Sequence, residues 1–321
     1  IAWMAFNNPQ IDSNRTMFIV FSSALRDYVS HVLPSLHVHR VEIQTFKGWS
    51  TRQRKRHFPR LPKHIRDDAP AVVVRLKSHP LLLRALEIHI DNTNGPTTGE
   101  QALDDWASVL TNPELLTVAM EEVAPNAFSI AELRRATQWC HDRNEELNAW
   151  LEGDKDVQVA LDEEDNALLL RAWQLRVGPL RARGRKPLRY KHIAIDEVQD
   201  FSPLDVRVLL GCLDKNQCIT LAGDTQQHVM KESGFQSWTD FFRHLGVEGT
   251  EVNTLKISYR CSFEVVEFAM SVLGDLREDD TPPLVTRSGP PVELFRFTDH
   301  GACVAFLSDT LNDLLRNEPF A

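Results

Sequence analysis

The chain has 321 residues, enough for two domains with real cores, and its 42% hydrophobic and 25% charged content is ordinary for a globular protein. No apolar run approaches a membrane span and no signal-peptide pattern opens the sequence, so a cytoplasmic protein is expected, with no membrane partner. Five scattered cysteines without a C-x-x-C pair exclude a disulfide framework or a cysteine zinc site.

The net charge of −9 conceals blocks. Residues 47–66 hold eight Lys or Arg and no acid, and residues 171–191 repeat that count. Residues 145–165 carry nine acids against one Lys, a pattern expected of a solvated helical surface or a face for a basic partner. Trp49 and Phe58 interleave the first basic block, as in grooves that track a nucleic-acid backbone.

In chain order, residues 16–21 and 41–46 read as strands flanking a helix at 24–33. From about 62 to 176 apolar residues recur at three- and four-residue spacing, notably over 81–90, 101–110, 113–123 and 130–151, and predict helices. Two apolar runs, 192–196 and 217–223, then predict buried parallel strands. A helix is expected over 263–273 and another ending near Leu315, with proline-marked loops at 281–283 and 289–291.

The first of these late strands ends in Asp196-Glu197-Val198-Gln199-Asp200. Open α/β sheets bind ligands at the carboxyl ends of their strands, and paired carboxylates there suit a hydrated Mg²⁺. A second reading of the same run is a helix N-terminus, because Ser202-Pro203 is a good cap and first-turn pair.

Three motifs stand in order: Asp196-Glu197-Val198-Gln199-Asp200, then Gly223-Asp224-Thr225-Gln226-Gln227, then Tyr259-Arg260 after Ser258. Together they resemble the DExQD Walker B, GDxxQ and NYR motifs of UvrD/Rep/PcrA-type superfamily 1 helicases. The stretch from Met17 through Phe21, Ser22 and Ser23 to Ala24 looks like the strand and loop with which that family touches single-stranded DNA, and Thr45-Phe46 looks like its next DNA-contacting motif. Tyr28 to Leu36, Arg75-Leu76-Lys77 and Phe201-Ser202-Pro203-Leu204 are similar to the HelD-type branch, which associates with RNA polymerase.

The resemblance implies an α/β fold. A RecA-like P-loop NTPase motor domain over 1–46 and 185–257 would carry a helical insertion domain over 47–184, and a second RecA-like domain would begin at 258. It implies ATP and Mg²⁺ as cofactors. Asp196 would hold the metal through water, and Glu197 would activate the hydrolytic water. Gln227 would sense the γ-phosphate, Arg260 would act as an arginine finger, and Tyr259 would stack on adenine. Asp224 and Asp200 would complete the nucleotide site. Phe21, Ser22, Ser23, Thr45 and Phe46 would contact the single strand, with Arg54, Lys55 and Arg56 of the basic block beside them.

There are departures from the family. No G-x-x-x-x-G-K-[ST] string, which would cradle phosphates, occurs in these residues. Gly95-Pro96-Thr97-Thr98-Gly99-Glu100 is one residue short and lacks the cation. No second arginine-bearing motif of the later motor domain occurs either. The chain therefore reads as a central piece of an ATP-dependent helicase or translocase, inactive by itself, acting on single-stranded or partly duplex DNA with RNA polymerase or a DNA-repair protein as partner. The alternative is a non-catalytic helicase-like module that binds nucleic acid or RNA polymerase.

Overall fold

In the computed structural model the chain opens with α1 (Ala2–Asn7), β1 (Thr16–Val20), α2 (Ser23–Ser35), β2 (Glu42–Thr45) and α3 (Phe46–His57). A helical block follows: β3 (Ile65–Arg66), α4 (Ala71–Ser78), α5 (Leu81–Asn92), α6 (Gly99–Leu110), α7 (Pro113–Val123), α8 (Ile130–Glu152), β4 (Leu161–Asp162) and α9 (Asp165–Arg176). Then come β5 (Tyr190–Ile195), a 3₁₀ turn (Val198–Asp200), α10 (Pro203–Leu210), β6 (Leu213–Leu221) and α11 (Trp238–Leu245). These belong to one unit, residues 1–251; residues 252–321 form a second. The described residues are 1–154, 156, 158–183, 186–224, 237–247, 249–273 and 284–317. The loop expected at 281–283 lies outside them. Among the described residues no helix is long and apolar enough to cross a membrane.

The first unit is α/β, built on a parallel sheet of order β2-β1-β5-β6. β5 is central and five of its six residues are buried, as a parallel strand covered on both faces requires. It pairs with β1 from Thr16↔His192 to Ile19↔Ile195. Its pairing with β6 shifts register between Tyr190 and His192, so the regular ladder starts at Cys218, beside the expected start at 217. One sheet face packs Met17, Ile19, Ile193 and Ile195 against Val206 and Leu209 of α10 and Phe241 of α11.

Pro113 at the first turn, with the Asn112 side chain accepting from Leu115 N, sets the start of α7 where the sequence places it. Ser129 and Glu132 form a capping box that starts α8. The block closes around Leu76, Leu82, Leu86, Leu116, Leu133 and Leu168. Inside it the Lys77 ammonium lies 2.6 Å from both Asp162 Oδ2 and Asp165 Oδ1, with all three side chains under a tenth exposed. Gly99, in the string short of a phosphate loop, follows the Thr98 cap of α6, and an added Cβ would stand 2.6 Å from the Trp173 ring.

The second unit holds a two-stranded parallel sheet, β7 (Ile257–Ser258) with β8 (Leu284–Val285), and two helices, α12 (Phe263–Leu273) and α13 (His300–Asn317). Phe295 and Phe297 pack on Phe306 of α13 at ring separations of 4.7 and 5.3 Å.

Candidate functional site

The chain runs from β1 outward to β2 on one side of the sheet and from β5 outward to β6 on the other. The order therefore reverses between β1 and β5, and the loops that leave their carboxyl ends diverge there. Such a switch point is where open α/β sheets form a ligand crevice. Phe21, Ser22 and Ser23 leave one side of it, and Asp196 and Glu197 leave the other.

The acidic loop is tightly held. Asp196 N donates to Ile19 O at 3.1 Å, and Glu197 N donates to Asp196 Oδ1 at 3.2 Å. Glu197 has φ 53°, ψ 45°, a left-handed conformation that strains a residue with a side chain and that clusters at functional positions. Gln199, 1% exposed, holds the loop through its side-chain amide. Its Nε2 donates to Glu197 Oε2 at 2.6 Å, and its Oε1 accepts from Asp224 N at 3.0 Å. Val198 N donates to Ala222 O at 2.9 Å. Gly223 is required by this closeness: a Cβ there would lie 2.5 Å from Gln199 Oε1 and 2.9 Å from Val198 Cγ1. Two of the expected motifs are thus hydrogen-bonded into one constellation containing Glu197, Gln199, Gly223 and Asp224. Asp200 closes the turn, its N–H donating to Glu197 O at 2.9 Å.

The helix-start reading of this run also holds, one step downstream. Ser202 caps α10, and Ser202 N donates to Asp205 Oδ2 at 3.0 Å. Burial pushes the Asp205 carboxyl up to about 7, against those cap bonds.

Aromatic side chains join the two DNA-facing segments of the sequence reading. Phe201 meets Phe21 at 6.4 Å and Phe46 at 6.2 Å, both edge-on, and Phe46 leans on Trp49 at 5.9 Å. Phe21 is 40% exposed, just past the carboxyl end of β1. The two hydroxyls serve locally: Ser22 Oγ accepts from Leu25 N at 3.1 Å and caps α2, and Thr45 Oγ1 accepts from Gly48 N at 3.1 Å and caps α3. Ser23 is the exposed first residue of α2.

The basic block requires a correction. Its first part forms α3, whose buried side holds Trp49, Ser50, Gln53, Arg54 and His57. Arg54 is fully buried and donates from Nη1 to Pro62 O at 2.8 Å, so it is a core cation with no reach to a phosphate in solvent. Burial draws its guanidinium down, with Asp165 opposing. Trp49 and Phe58 are buried too and offer no stacking surface. Lys55 stays exposed, and Arg56 is half-buried.

Tyr259 and Arg260 lie in the second unit, directly after β7. Both are exposed, and the Arg260 carbonyl accepts from the Arg287 guanidinium. Gln227 lies outside the described residues. Among the described residues no group of three or more His, Cys, Asp or Glu could hold a metal ion.

Neither the comparison with protein-family models nor that with curated proteins finds a match for this chain.

Sequence reasoning assigned no role to Gln199 or Phe201. The signal for Gln199 was present in the amide set between acids, since a buried amide beside a carboxylate is a ready orienting group. For Phe201 nothing local distinguishes it from a core residue.

Proposed function

We propose that the chain is the nucleotide- and nucleic-acid-facing part of an ATP-dependent helicase or translocase of the superfamily 1 kind. In this reading the four-stranded sheet belongs to a RecA-like motor domain, residues 47–184 to its helical insertion, and the second unit to the start of another RecA-like domain. The observation that carries it is the Glu197–Gln199–Asp224 constellation at the switch point of the sheet. A general base must be oriented, and the Gln199 amide orients this one while fixing the neighbouring loop against it.

The donor set fits Mg²⁺ of the kind that keeps several waters and takes one or two carboxylates plus substrate phosphates. Asp196 would accept hydrogen bonds from metal-bound water. Bound Mg·ATP supplies the phosphoryl group and neutralises charge on its oxygens. Glu197 accepts the proton of the attacking water as its oxygen bonds to the γ-phosphorus and the β–γ bridging oxygen departs with ADP. By the motif resemblance, Arg260 would serve as an arginine finger, Tyr259 would stack on the base, and Gln227 would sense the γ-phosphate. Phe21, backed by Phe201, offers a stacking face for a base of single-stranded DNA.

The phosphate-cradling string is not among these 321 residues, so hydrolysis is proposed for the full-length gene product. There, Glu197→Gln lowers ATP turnover by roughly 10²–10⁴-fold with nucleotide binding kept, the worth of a positioned base. Unchanged turnover overturns the assignment. A full-length product that binds single strands but hydrolyses no ATP supports the second reading, a non-catalytic module for nucleic acid or RNA polymerase.

A further inference from the structure

The two basic blocks, separated by more than a hundred residues in sequence, are joined in the fold. Residues 180–183 and 186–188 form an antiparallel arm, with Ala182 N donating to Lys186 O at 2.8 Å and Leu188 N to Leu180 O at 2.7 Å. This arm lies against α3: Arg56 Nη1 donates to Arg181 O at 3.0 Å, and Arg181 N donates to His57 Nε2 at 2.8 Å. His57 Nδ1 faces Gln53 O at 2.8 Å, so the ring carries its proton on Nδ1 and accepts on Nε2. Burial, with Arg56 and Arg181 adjacent, pulls His57 below its usual value and keeps it neutral.

Arg52, Lys55 and Arg56 share one face of α3 by their three- and four-residue spacing, opposite the buried side. Arg181, Arg183 and Lys186 stand exposed on the arm. Among the described residues none of these six enters an ion pair; Lys47 and Arg60, elsewhere in the first block, pair with Glu163 and Glu100. The result is a cationic face with no acid in either contributing segment. It also has no exposed aromatic, since Trp49 and Phe58 are 0% and 5% exposed. Single-strand grooves combine charge with stacking rings, whereas a duplex turns its phosphates outward and hides its bases.

We infer that the Arg52–Lys55–Arg56 row and the Arg181–Arg183–Lys186 arm form one docking face for the sugar-phosphate backbone of a nucleic-acid duplex. It is separate from the Phe21 edge, and it rests on the proposed function only in taking nucleic acid as partner. Contact there is independent of sequence, because phosphates position and base edges specify.

The test titrates the protein with a fluorescent random-sequence duplex, and with one of its strands, across about 50–200 mM salt. Each neutralised phosphate contributes about −0.9 to the slope of log K against log salt for a duplex. Replacing Lys55, Arg181, Arg183 and Lys186 by Gln then flattens the duplex slope by roughly 3–4 and leaves strand binding nearly intact. Phe21→Ala does the reverse. Lys55→Gln and Lys186→Gln, singly, each flatten the slope by about 0.9 and guard against misfolding of the quadruple variant. The exposed pair Arg134→Gln, Arg135→Gln on α8 leaves it unchanged. An unchanged duplex slope in the quadruple variant overturns the inference. So does equal flattening by the α8 pair, or a face that takes an acidic peptide but no duplex. Unaltered strand binding in Phe21→Ala, with the duplex slope flattened in the quadruple variant, counts against the motor reading alone.

Discussion

Gln199 Nε2 donates to Glu197 Oε2 at 2.6 Å, which sets the direction of a carboxylate on a residue whose own backbone is strained. The same amide holds Asp224 N, so removing it unties two loops at once. Gln199→Ala should cost about 1–3 kcal/mol, the penalty for leaving buried polar partners unmade. Gly223→Ala should cost a similar ~1–3 kcal/mol by overpacking against Val198 and Gln199. Urea unfolding of both variants measures this, and midpoints equal to that of the unaltered chain would refute the clamp.

Phe21 is the aromatic most open to solvent in the Phe21–Phe201–Phe46 group. Phe21→Ala should weaken single-strand binding by about 1–3 kcal/mol per stacked base without altering the salt slope. Phe46→Ala should also lower stability, because Phe46 supports Trp49 and Phe201. Fluorescence titration paired with thermal melting separates the two, and an unaltered strand affinity in Phe21→Ala counts against stacking there.

Two groups titrate in opposite senses over one pH range. Burial pulls His79 down to about 4 from 6.5, with His244 and Arg75 adding to the effect, so its contribution to stability is lost as pH falls from 6.5 toward 4. Asp205 is raised from 3.8 to about 7, so the folded state holds its proton where the unfolded chain does not, and stability is lost as pH rises across that window. His79→Asn keeps an acceptor for Leu81 N and should make stability fall less on acidification than in the unaltered chain. Asp205→Asn should make it fall more. Chemical denaturation at pH 4, 5.5 and 7 reads both signs, and parallel curves for all three proteins would show that neither group titrates as stated.

Lys77→Met would leave Asp162 and Asp165 facing each other without their cation, at a cost of about 3–5 kcal/mol. Adding Asp162→Asn and Asp165→Asn should recover part of the loss, because the uncompensated charges are then gone. Equilibrium unfolding of the single and triple variants checks the order, and a triple variant less stable than Lys77→Met would contradict it.

The sequence marked the sheet well where strands are buried on both faces, since β5 closes on the apolar run Ile193-Ala194-Ile195 and breaks off at Asp196. It marked α7 and α8 because Asn112-Pro113 and Ser129 are strong caps. It missed α3 as a helix because the buried side there is Trp49, Ser50, Gln53, Arg54 and His57, which show no apolar period and resemble a surface. The individual boundaries of α9 were equally hidden, since nine of its twelve residues are buried and no polar face sets the phase. At the site, Asp196 and Glu197 were legible from composition alone. The bond from Gln199 to Asp224 was not, because it spans 25 positions.

The pairing of Ile19 with Ile195 has a kinetic meaning. The central strand of the sheet finds its β1 neighbour only after the whole helical block has been spanned, and long-range closure of this kind slows folding even though its entropy grows only with the logarithm of length. The block's helices pack chiefly on one another, α5 on α7 and α6 on α9, and can collapse together while β1 and β2 wait unpaired with β5. Pulse-labelled hydrogen exchange during refolding should show amides of α8 protected before Ile195, and simultaneous protection would mean that block and sheet form in one step. Until β5 arrives, the inner edge of β1 stays open to other strands, so the hazard of misassembly is greatest early.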